Sequence, residues 1–275
     1  MHGVNLPPLG RELPAAQPGF RWPSVGVVVP NNERIATLQE TLVSVVNQDY
    51  SGVVNCYLVY RSRPGILPLL ESLGNSIIAV AAADIPSRNP ISVKRNIGVS
   101  ATSEELVALV DDDGLWHPDK LRIQVECLFR ESTAVAVGTK YLLFRDSPRW
   151  RPLPARPGTC DLHGVSGVRR GGLVTSSLLI HGAVMRDLRF DERPDWMGVE
   201  DFDLKIRLGS IGCVRRVEAH LTAMRVGNLS TSATDRPLQH SRALSVLAAA
   251  SSTDRRISLR IAALETMTCA AFAGA

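Results

Sequence analysis

Hydrophobic residues in the first half of the chain recur with two alternating periods. Four runs rich in aliphatic residues predict buried strands, at 25–29, 54–60, 76–82 and 106–110. Apolar residues at helical spacing predict the intervening helices, at 35–48, 66–73 and 93–100. Near-continuous apolar strands that alternate with helices are typical of a parallel sheet covered on both faces. We therefore predict an α/β fold built on an open, mostly parallel sheet.

The pattern becomes less regular in the second half. The predicted elements there are a helix from Pro118 to about Arg130, strands at 134–139 and 174–180, a helix at 199–208, and a strand pair with a central turn at 214–226. Residues 147–172 are rich in Pro, Gly and Arg and have no clear period, which is typical of a lid or binding loop. Two Ala-rich helices are predicted to end the chain, at 238–250 and 257–273.

Three regions follow from these patterns. Residues 1–23 contain several prolines and no period, so we predict an N-terminal arm. Residues 24–230 form the predicted α/β domain, with one half at 24–117 and a second at 118–230. Residues 231–275 form a predicted C-terminal helical extension. Arginines in its last helix leave open a contact with a membrane surface or with a second copy of the chain in a homodimer.

Composition indicates a globular protein. The chain has 275 residues, a net charge of +4 and a mean hydropathy of +0.04. Hydrophobic residues make up 45% and charged residues 21%, which excludes global disorder. The charges are scattered rather than clustered, which argues against a nucleic-acid-binding protein.

The cysteines and the N-terminal segment bear on location. The five cysteines are widely spaced and include no CxxC pair, which favours reduced thiols. Prolines and charges interrupt the apolar core that a signal peptide needs, and no segment reaches the ~20 apolar residues of a membrane span. We therefore expect a cytoplasmic protein without a transmembrane segment.

An acidic cluster directly follows the fourth predicted strand. Asp111, Asp112 and Asp113 come at its carboxyl end, where open parallel sheets bind ligands. Because side chains alternate in direction, Asp111 and Asp113 can approach one divalent cation and leave positions for water and phosphate oxygens. The alternative is an acidic turn that caps the next helix.

The order of motifs resembles that of the inverting glycosyltransferases of family 2, which have the GT-A fold. The matching segments span residues 25–230 and read VVVPNNER, RNIGVS, VDDDGLWHPDKL, TSSLLI, FDE and VEDFDLKIRL. The resemblance implies transfer of one sugar from a nucleotide diphosphate sugar to an acceptor, with Mn²⁺ or Mg²⁺ holding the diphosphate. It also assigns the donor to residues 24–117 and the acceptor to residues 118–230.

The resemblance assigns roles to both acidic motifs. Asp111 and Asp113 match the DXD motif and would hold the metal. Asp112, in the variable middle place, would contact the donor ribose or sugar. Asp201 matches the base that takes the acceptor's proton, with Glu200 as its orienting partner or as its stand-in. The alternative for Glu200 and Asp201 is that they only complement the dipole of a helix start.

Further candidates lie near the expected donor and acceptor. For the donor base or diphosphate they are Pro30, Asn32, Arg61, Arg88, Lys94, Arg95 and Asn96. For the acceptor side they are Trp196, which can stack on a sugar ring, and His181. Asp203 is expected to be ion-paired with Arg207, four positions on.

Three departures from the family pattern concern the donor. Asn31 and Asn32 follow Pro30, where an aromatic residue usually lies against the base. Arg61 follows the second strand, where an aspartate usually binds the base edge. A histidine common near the distal end of the donor site is not evident, and His220 is the nearest candidate. UDP is the default nucleotide because the family uses it most, while dTDP and GDP remain open.

Alternatives to transfer remain at this stage. The QxxRW signature of processive synthases is absent, so we expect addition of one sugar to a small-molecule or cell-envelope acceptor. A sugar nucleotidyltransferase would need a Gly-rich, basic loop after the first strand, which PNNERIATL does not provide. A GT-A-fold binding protein without catalytic activity is the remaining alternative.

Overall fold

The computed structural model describes most of the predicted α/β domain. The described residues are 21–32, 35–61, 66–73, 77–82, 90–130, 134–154, 157–162 and 172–226, with positions 243 and 245. Most of the predicted arm and nearly all of the predicted C-terminal helices lie outside these ranges, as does Arg88. The proposed division into regions therefore stays a prediction.

Helices and strands alternate along the described ranges. The helices are α1 (Ile35–Val46), α2 (Ile66–Leu73), α3 (Pro90–Ala101), α4 (Lys120–Arg130), α5 (Gly182–Leu188) and α6 (Glu200–Ile211). The strands are β1 (Val25–Pro30), β2 (Val54–Tyr60), β3 (Ile77–Ala81), β4 (Leu106–Leu109), β5 (Gly114–Trp116), β6 (Ala134–Phe144), β7 (Thr159–Leu162), β8 (Leu179–His181) and β9 (Cys213–Arg225).

One sheet joins all nine of these strands. Its order is β3-β2-β1-β4-β8-β6-β9-β5, and β7 also pairs with β9. Strands β3, β2, β1 and β4 are parallel neighbours, as the first half of the sequence predicted. In the second half, β8 runs antiparallel between β4 and β6, while β6 and β9 are parallel. The α/β fold class is confirmed.

Helices cover both faces of the sheet. Neighbouring residues of one strand point to opposite faces, so they pack into two different cores. Val27 packs into the core under α1, α2 and α4. Val28 packs into the second core, under α3, α5 and α6. Both valines are fully buried, which explains why β1 reads as a continuous apolar run rather than an alternating one.

Two predictions in the second half were wrong. Residues 174–180 do not form one strand, because Thr175–Ser177 make a 3-10 turn and only Leu179–His181 pair. Residues 214–226 contain no central turn, since β9 is continuous and lies beside β6 along most of its length. The segment 147–172 also contains the short strand β7, which has no alternating apolar pattern to reveal it.

Helix α3 lies very close to the sheet at Gly98. A β-carbon at this position would lie 2.4 Å from Val28 Cγ1 and 3.0 Å from Val59 Cγ2. Only glycine therefore allows α3 to lie this close to the sheet. Because α3 carries several of the predicted donor residues, their distance from the sheet depends on this contact.

Gly98→Ala should destabilise the protein, because the added methyl group has to displace α3 from the sheet. Overpacking of this kind costs about 1–3 kcal/mol, measurable as a lower midpoint in urea unfolding. Gly158→Ala is the control, since its β-carbon would meet only Glu218 Cβ at an ordinary 4.0 Å. Adding Val28→Ala should restore part of the loss, and equal stability of Gly98→Ala and the wild type would contradict this packing.

Candidate active site

The acidic cluster forms a tight turn at the carboxyl edge of the sheet. It links β4 to β5, and the N–H of Gly114 donates to the carbonyl of Asp111 at 3.0 Å. Asp112 is 3% exposed, whereas Asp111 and Asp113 are half-buried. The turn therefore directs its three carboxylates into different surroundings.

Asp112 fastens the turn to the end of β1. Its Oδ2 accepts from the backbone N–H of Asn32 at 2.5 Å and from Asn31 Nδ2 at 3.2 Å. The buried Lys94 donates to the carbonyl of Asn31 at 2.8 Å. These bonds give Asp112 a positioning role, and its contact with the donor ribose or sugar stays a prediction.

Asp111 is held on both carboxylate oxygens. Arg95 Nη2 donates to its Oδ1 at 2.7 Å. Ser176 Oγ donates to Oδ2 at 3.3 Å and accepts from the backbone N–H of Asp111 at 3.1 Å. Ser176 belongs to the 3-10 turn Thr175–Ser177, and the sequence motif TSSLLI gave no indication of this role.

Arg95 joins the two acidic motifs. Its Nη1 donates to Glu200 Oε1 at 3.2 Å while Nη2 binds Asp111. The side chain is only 6% exposed, and its guanidinium lies 5.0 Å from the ring centroid of Phe190. Burial acts to lower the pKa of Arg95, but the charges of Asp111 and Glu200 outweigh it and raise that pKa. The guanidinium therefore stays charged between two carboxylates that are far apart in sequence.

The second acidic pair begins α6, and its two carboxyl groups differ. Glu200 Oε2 accepts from the N–H of Gly198 at 2.7 Å, where Gly198 has the positive φ of 85° that favours glycine. Burial, with the charge of Asp201, raises the pKa of Glu200, although Arg95 opposes this. Glu200 is thus a buried group oriented by its neighbours.

Asp201 is the more accessible of the pair. Its side chain is 36% exposed, and Lys205 Nζ donates to its Oδ2 at 3.1 Å. Burial acts to raise the pKa of Asp201, but Lys205 and Arg95 outweigh it and hold that pKa below its ordinary value. Asp201 is therefore an anion at neutral pH with part of its surface open to a substrate.

Asn96 positions the segment that leads into α6. Its Nδ2 donates to the Phe190 carbonyl at 2.9 Å and to Glu192 Oε1 at 2.7 Å, and its Oδ1 accepts from the Phe190 N–H at 2.8 Å. Both amide hydrogens of Asn96 are used in this way, and the residue is 2% exposed. Asn96 therefore holds the FDE segment in place, and its contact with the donor stays a prediction.

The remaining donor candidates follow the same edge of the sheet. Pro30 is the buried last residue of β1, and Asn32, just beyond it, is exposed. Arg61 comes directly after β2 and is half-buried. The structure thus brings these residues to one edge with the acidic turn, and their contacts with a donor stay predictions.

The two acceptor-side candidates, His181 and Trp196, lie in different parts of the structure. His181 pairs with Leu106, at the amino end of β4, so it lies at the edge of the sheet opposite the acidic turn. Its expected place beside the acceptor is wrong. Trp196 precedes Glu200 by four residues, and Arg193 lies 4.0 Å from its ring centroid. Asp203 pairs with Arg207 at 2.7 Å, as predicted.

His220 lies within β9, opposite Lys140 of β6, and is half-buried. Burial, with the nearby charges of Arg151 and Lys140, lowers the pKa of His220. Its assignment as the distal histidine of the donor site stays a prediction.

The acidic turn fits an ion shared with a substrate rather than a metal cage made by the protein. Within the described ranges, no group of three His, Cys, Asp or Glu side chains could hold a metal ion. Asp111 and Asp112 are engaged by protein donors, and Asp113 is half-buried at the turn. Mg²⁺ is usually bound by one or two carboxylates together with substrate phosphates, which is what Asp113 and Asp111 can provide.

Solved structures of S. aureus TarS share this fold. TarS residues 1–349 in complex with UDP match with a TM-score of 0.64 and 16% sequence identity, over 82% of this chain and 65% of that chain. The TarS complex with UDP-GlcNAc matches with a TM-score of 0.63 and 15% identity, over 82% and 66%. Because the sequence identities are this low, the structural similarity shows that this chain has the same fold as TarS, and nothing beyond the fold.

Sequence comparison identifies the family. The family model for "Glycosyltransferase like family 2" matches residues 23–213, which is more than half of the chain. This protein belongs to that family, and the resemblance of its motifs is confirmed. A stretch of 128 residues is also 28% identical to an N-acetylglucosaminyltransferase of Mesorhizobium japonicum, covering 42% of this chain and 27% of that protein.

No helix in the described ranges has both the length and the apolar character needed to cross a bilayer.

Proposed function

We propose that this protein is an inverting glycosyltransferase that transfers one sugar from a nucleoside diphosphate donor to an acceptor. The observation that carries the proposal is the double contact of Arg95, which brings the acidic turn and the start of α6 to one place. Inversion by direct displacement needs a leaving-group site and a base at opposite sides of one sugar, and only this edge of the described sheet gathers both kinds of group.

The donor would lie along the carboxyl edge of β1, β2 and β4. Asp113 and Asp111 would hold a divalent ion, which stabilises the charge that develops on the leaving diphosphate. Lys94 and Asp112 fix the shape of the β1 end against which the nucleotide rests. TarS was solved with UDP and with UDP-GlcNAc, and the relative is an N-acetylglucosaminyltransferase, so a UDP-sugar, first UDP-GlcNAc, is our proposed donor.

Asp201 would act as the base. As the acceptor oxygen or nitrogen forms its bond to the anomeric carbon, the bond to the diphosphate breaks and the carboxylate of Asp201 takes the acceptor's proton. Glu200 does not reach the acceptor in this proposal, because its two oxygens bind Arg95 and the Gly198 N–H. It keeps Arg95 in place and holds the start of α6. The acceptor is proposed to be a small molecule or a cell-envelope intermediate.

Asp113→Ala is the first test, because it removes one of the two carboxylates that are proposed to hold the divalent ion. We expect UDP affinity in Mn²⁺ to fall at least about tenfold, a loss of about 1.4 kcal/mol, while affinity in EDTA stays unchanged. Titration calorimetry measures both. Asp187→Ala, at an exposed aspartate of α5, is the control and should bind as the wild type does.

Two other results would redirect the proposal. Unchanged UDP affinity of Asp113→Ala in Mn²⁺ would remove the metal assignment. Nucleotide binding without release of sugar from any UDP-, dTDP- or GDP-sugar would favour a binding protein, and release of pyrophosphate would favour a nucleotidyltransferase.

A further inference from the structure

A fully buried lysine beneath the acidic turn has no part in the proposed chemistry. Lys120 is the first residue of α4 and is 0% exposed. Its Nζ donates to Gln124 Oε1 at 2.7 Å and lies 3.8 Å from the ring centroid of Trp116. Both partners of this amino group are themselves buried side chains. Burial also lowers the pKa of Lys120 well below its ordinary value.

Both partners of Lys120 bind the same short backbone segment. Trp116 Nε1 donates to the carbonyl of Ser176 at 2.8 Å. Gln124 Nε2 donates to the carbonyl of Ser177 at 2.8 Å and to that of Val137, in β6, at 2.6 Å. The 3-10 turn is thereby held from below at two successive carbonyl groups.

This segment in turn holds Asp111. Ser176 Oγ binds both the backbone N–H and the carboxylate of Asp111, and Ser176 is 2% exposed. A continuous set of contacts therefore leads from Lys120, through Trp116 and Gln124, to the first carboxylate of the acidic turn.

Stability alone does not account for a lysine at this position. A buried amine is costly to desolvate, and replacing a buried polar group together with its partner by apolar groups of similar size is often neutral or stabilising. Methionine has a similar length and would still pack on Trp116. It would leave Gln124 Oε1 without its donor, so that the amide would be oriented only by the two bonds of Nε2.

We propose that Lys120 is a positioning residue that acts through Trp116, Gln124 and Ser176 to fix Asp111 in the geometry that binds the donor. The part of this inference that concerns the donor rests on the proposed function. The part that concerns the order of the turn does not.

Lys120→Met tests both parts. We expect a thermal midpoint lowered by no more than the loss of one buried hydrogen bond would cause, faster amide hydrogen exchange over residues 110–114, and UDP affinity in Mn²⁺ lower by about fivefold. Ser176→Ala should show the same two losses. Because both substitutions act on one set of contacts, the double variant should be no worse than Ser176→Ala.

Lys140→Met is the matched control. Lys140 of β6 is paired with Glu218 of β9 and takes no part in this set of contacts. It should change neither exchange at 110–114 nor UDP affinity. If Lys120→Met does not fold, Trp116→Phe replaces it, since phenylalanine keeps an aromatic ring but lacks the Nε1 donor.

The outcomes separate this inference from the proposed function. Unchanged exchange at 110–114 in the folded variant, or losses that add in the double variant, would overturn the positioning role. Faster exchange in a protein whose wild type binds no nucleoside diphosphate would support the positioning role and overturn the proposed function. A lower thermal midpoint with normal exchange and affinity would leave Lys120 a purely structural residue and would also overturn the inference.

Discussion

Replacing Asp201 by asparagine is expected to lower turnover by about 10²–10⁴-fold, the usual contribution of a positioned general base. Donor affinity should stay at the wild-type level, because Asp201 lies on α6 and makes none of the contacts that hold the acidic turn. The fall should therefore appear in kcat at saturating donor. Steady-state kinetics with UDP-GlcNAc, and calorimetry with UDP in Mn²⁺, measure the two quantities separately.

Lys205 provides a control through the pH profile. The pKa of Asp201 is depressed, so its carboxylate is ionised above that value and activity should fall only when the pH drops below the ordinary range of an aspartate. Lys205→Met removes the 3.1 Å ion pair and should move the acidic limb to higher pH while the plateau at neutral pH remains. Full turnover by Asp201→Asn, or an acidic limb that does not move in Lys205→Met, would exclude Asp201 as the base.

The parts of the fold with strong local patterns were predictable from the sequence. Strand β2 and helix α2 match their predicted bounds at 54–60 and 66–73, because a continuous apolar run and a helical apolar stripe each leave little choice of structure. The segment 174–180 begins and ends with apolar residues but forms a 3-10 turn and a short strand. Its backbone is determined by Trp116 and Gln124, which bind its carbonyl groups from other elements.

The site was predictable as a set of acidic positions but not as a set of contacts. The sequence placed Asp111 at the carboxyl end of a strand and Asp201 at the start of a helix, and the family resemblance assigned both to one site. The sequence did not predict that Arg95 lies between Asp111 and Glu200, and the assignment of Arg95 to the donor stays a prediction. Such a contact depends on the depth of α3 against the sheet, and Gly98 sets that depth through its packing on Val28.

The first of the two asparagines after β1 has a structural explanation. Asn31 Nδ2 donates to Asp112, and the Asn31 carbonyl accepts from Lys94, whereas the bond from Asn32 to Asp112 is made by a backbone N–H. An aromatic residue at the first position would leave the buried Asp112 with one donor fewer. The departure from the family pattern therefore belongs to the fixation of the acidic turn, and it leaves only the exposed Asn32 of the two to face a nucleotide base.

Arg95→Leu is expected to reduce both stability and activity. Removing one partner of a buried ion pair typically costs about 3–5 kcal/mol, because the remaining charges lose their compensation. Without the guanidinium, Asp111 and Glu200 would both lose the cation that compensates their charge. Urea unfolding should therefore show a loss of this size in the free energy of unfolding. Donor affinity and turnover should fall together, since the same guanidinium fixes the first carboxylate of the turn and the start of α6.

Two further variants separate charge from geometry. Arg95→Lys keeps the charge, but a single ammonium cannot donate in two directions as the planar guanidinium does, so stability should recover more than activity. Adding Glu200→Leu to Arg95→Leu removes one uncompensated carboxylate and should restore part of the stability with no return of turnover. A single variant Arg95→Leu that folds with wild-type stability and transfers sugar normally would show that the two acidic motifs work independently, and the proposal of one shared site would then fail.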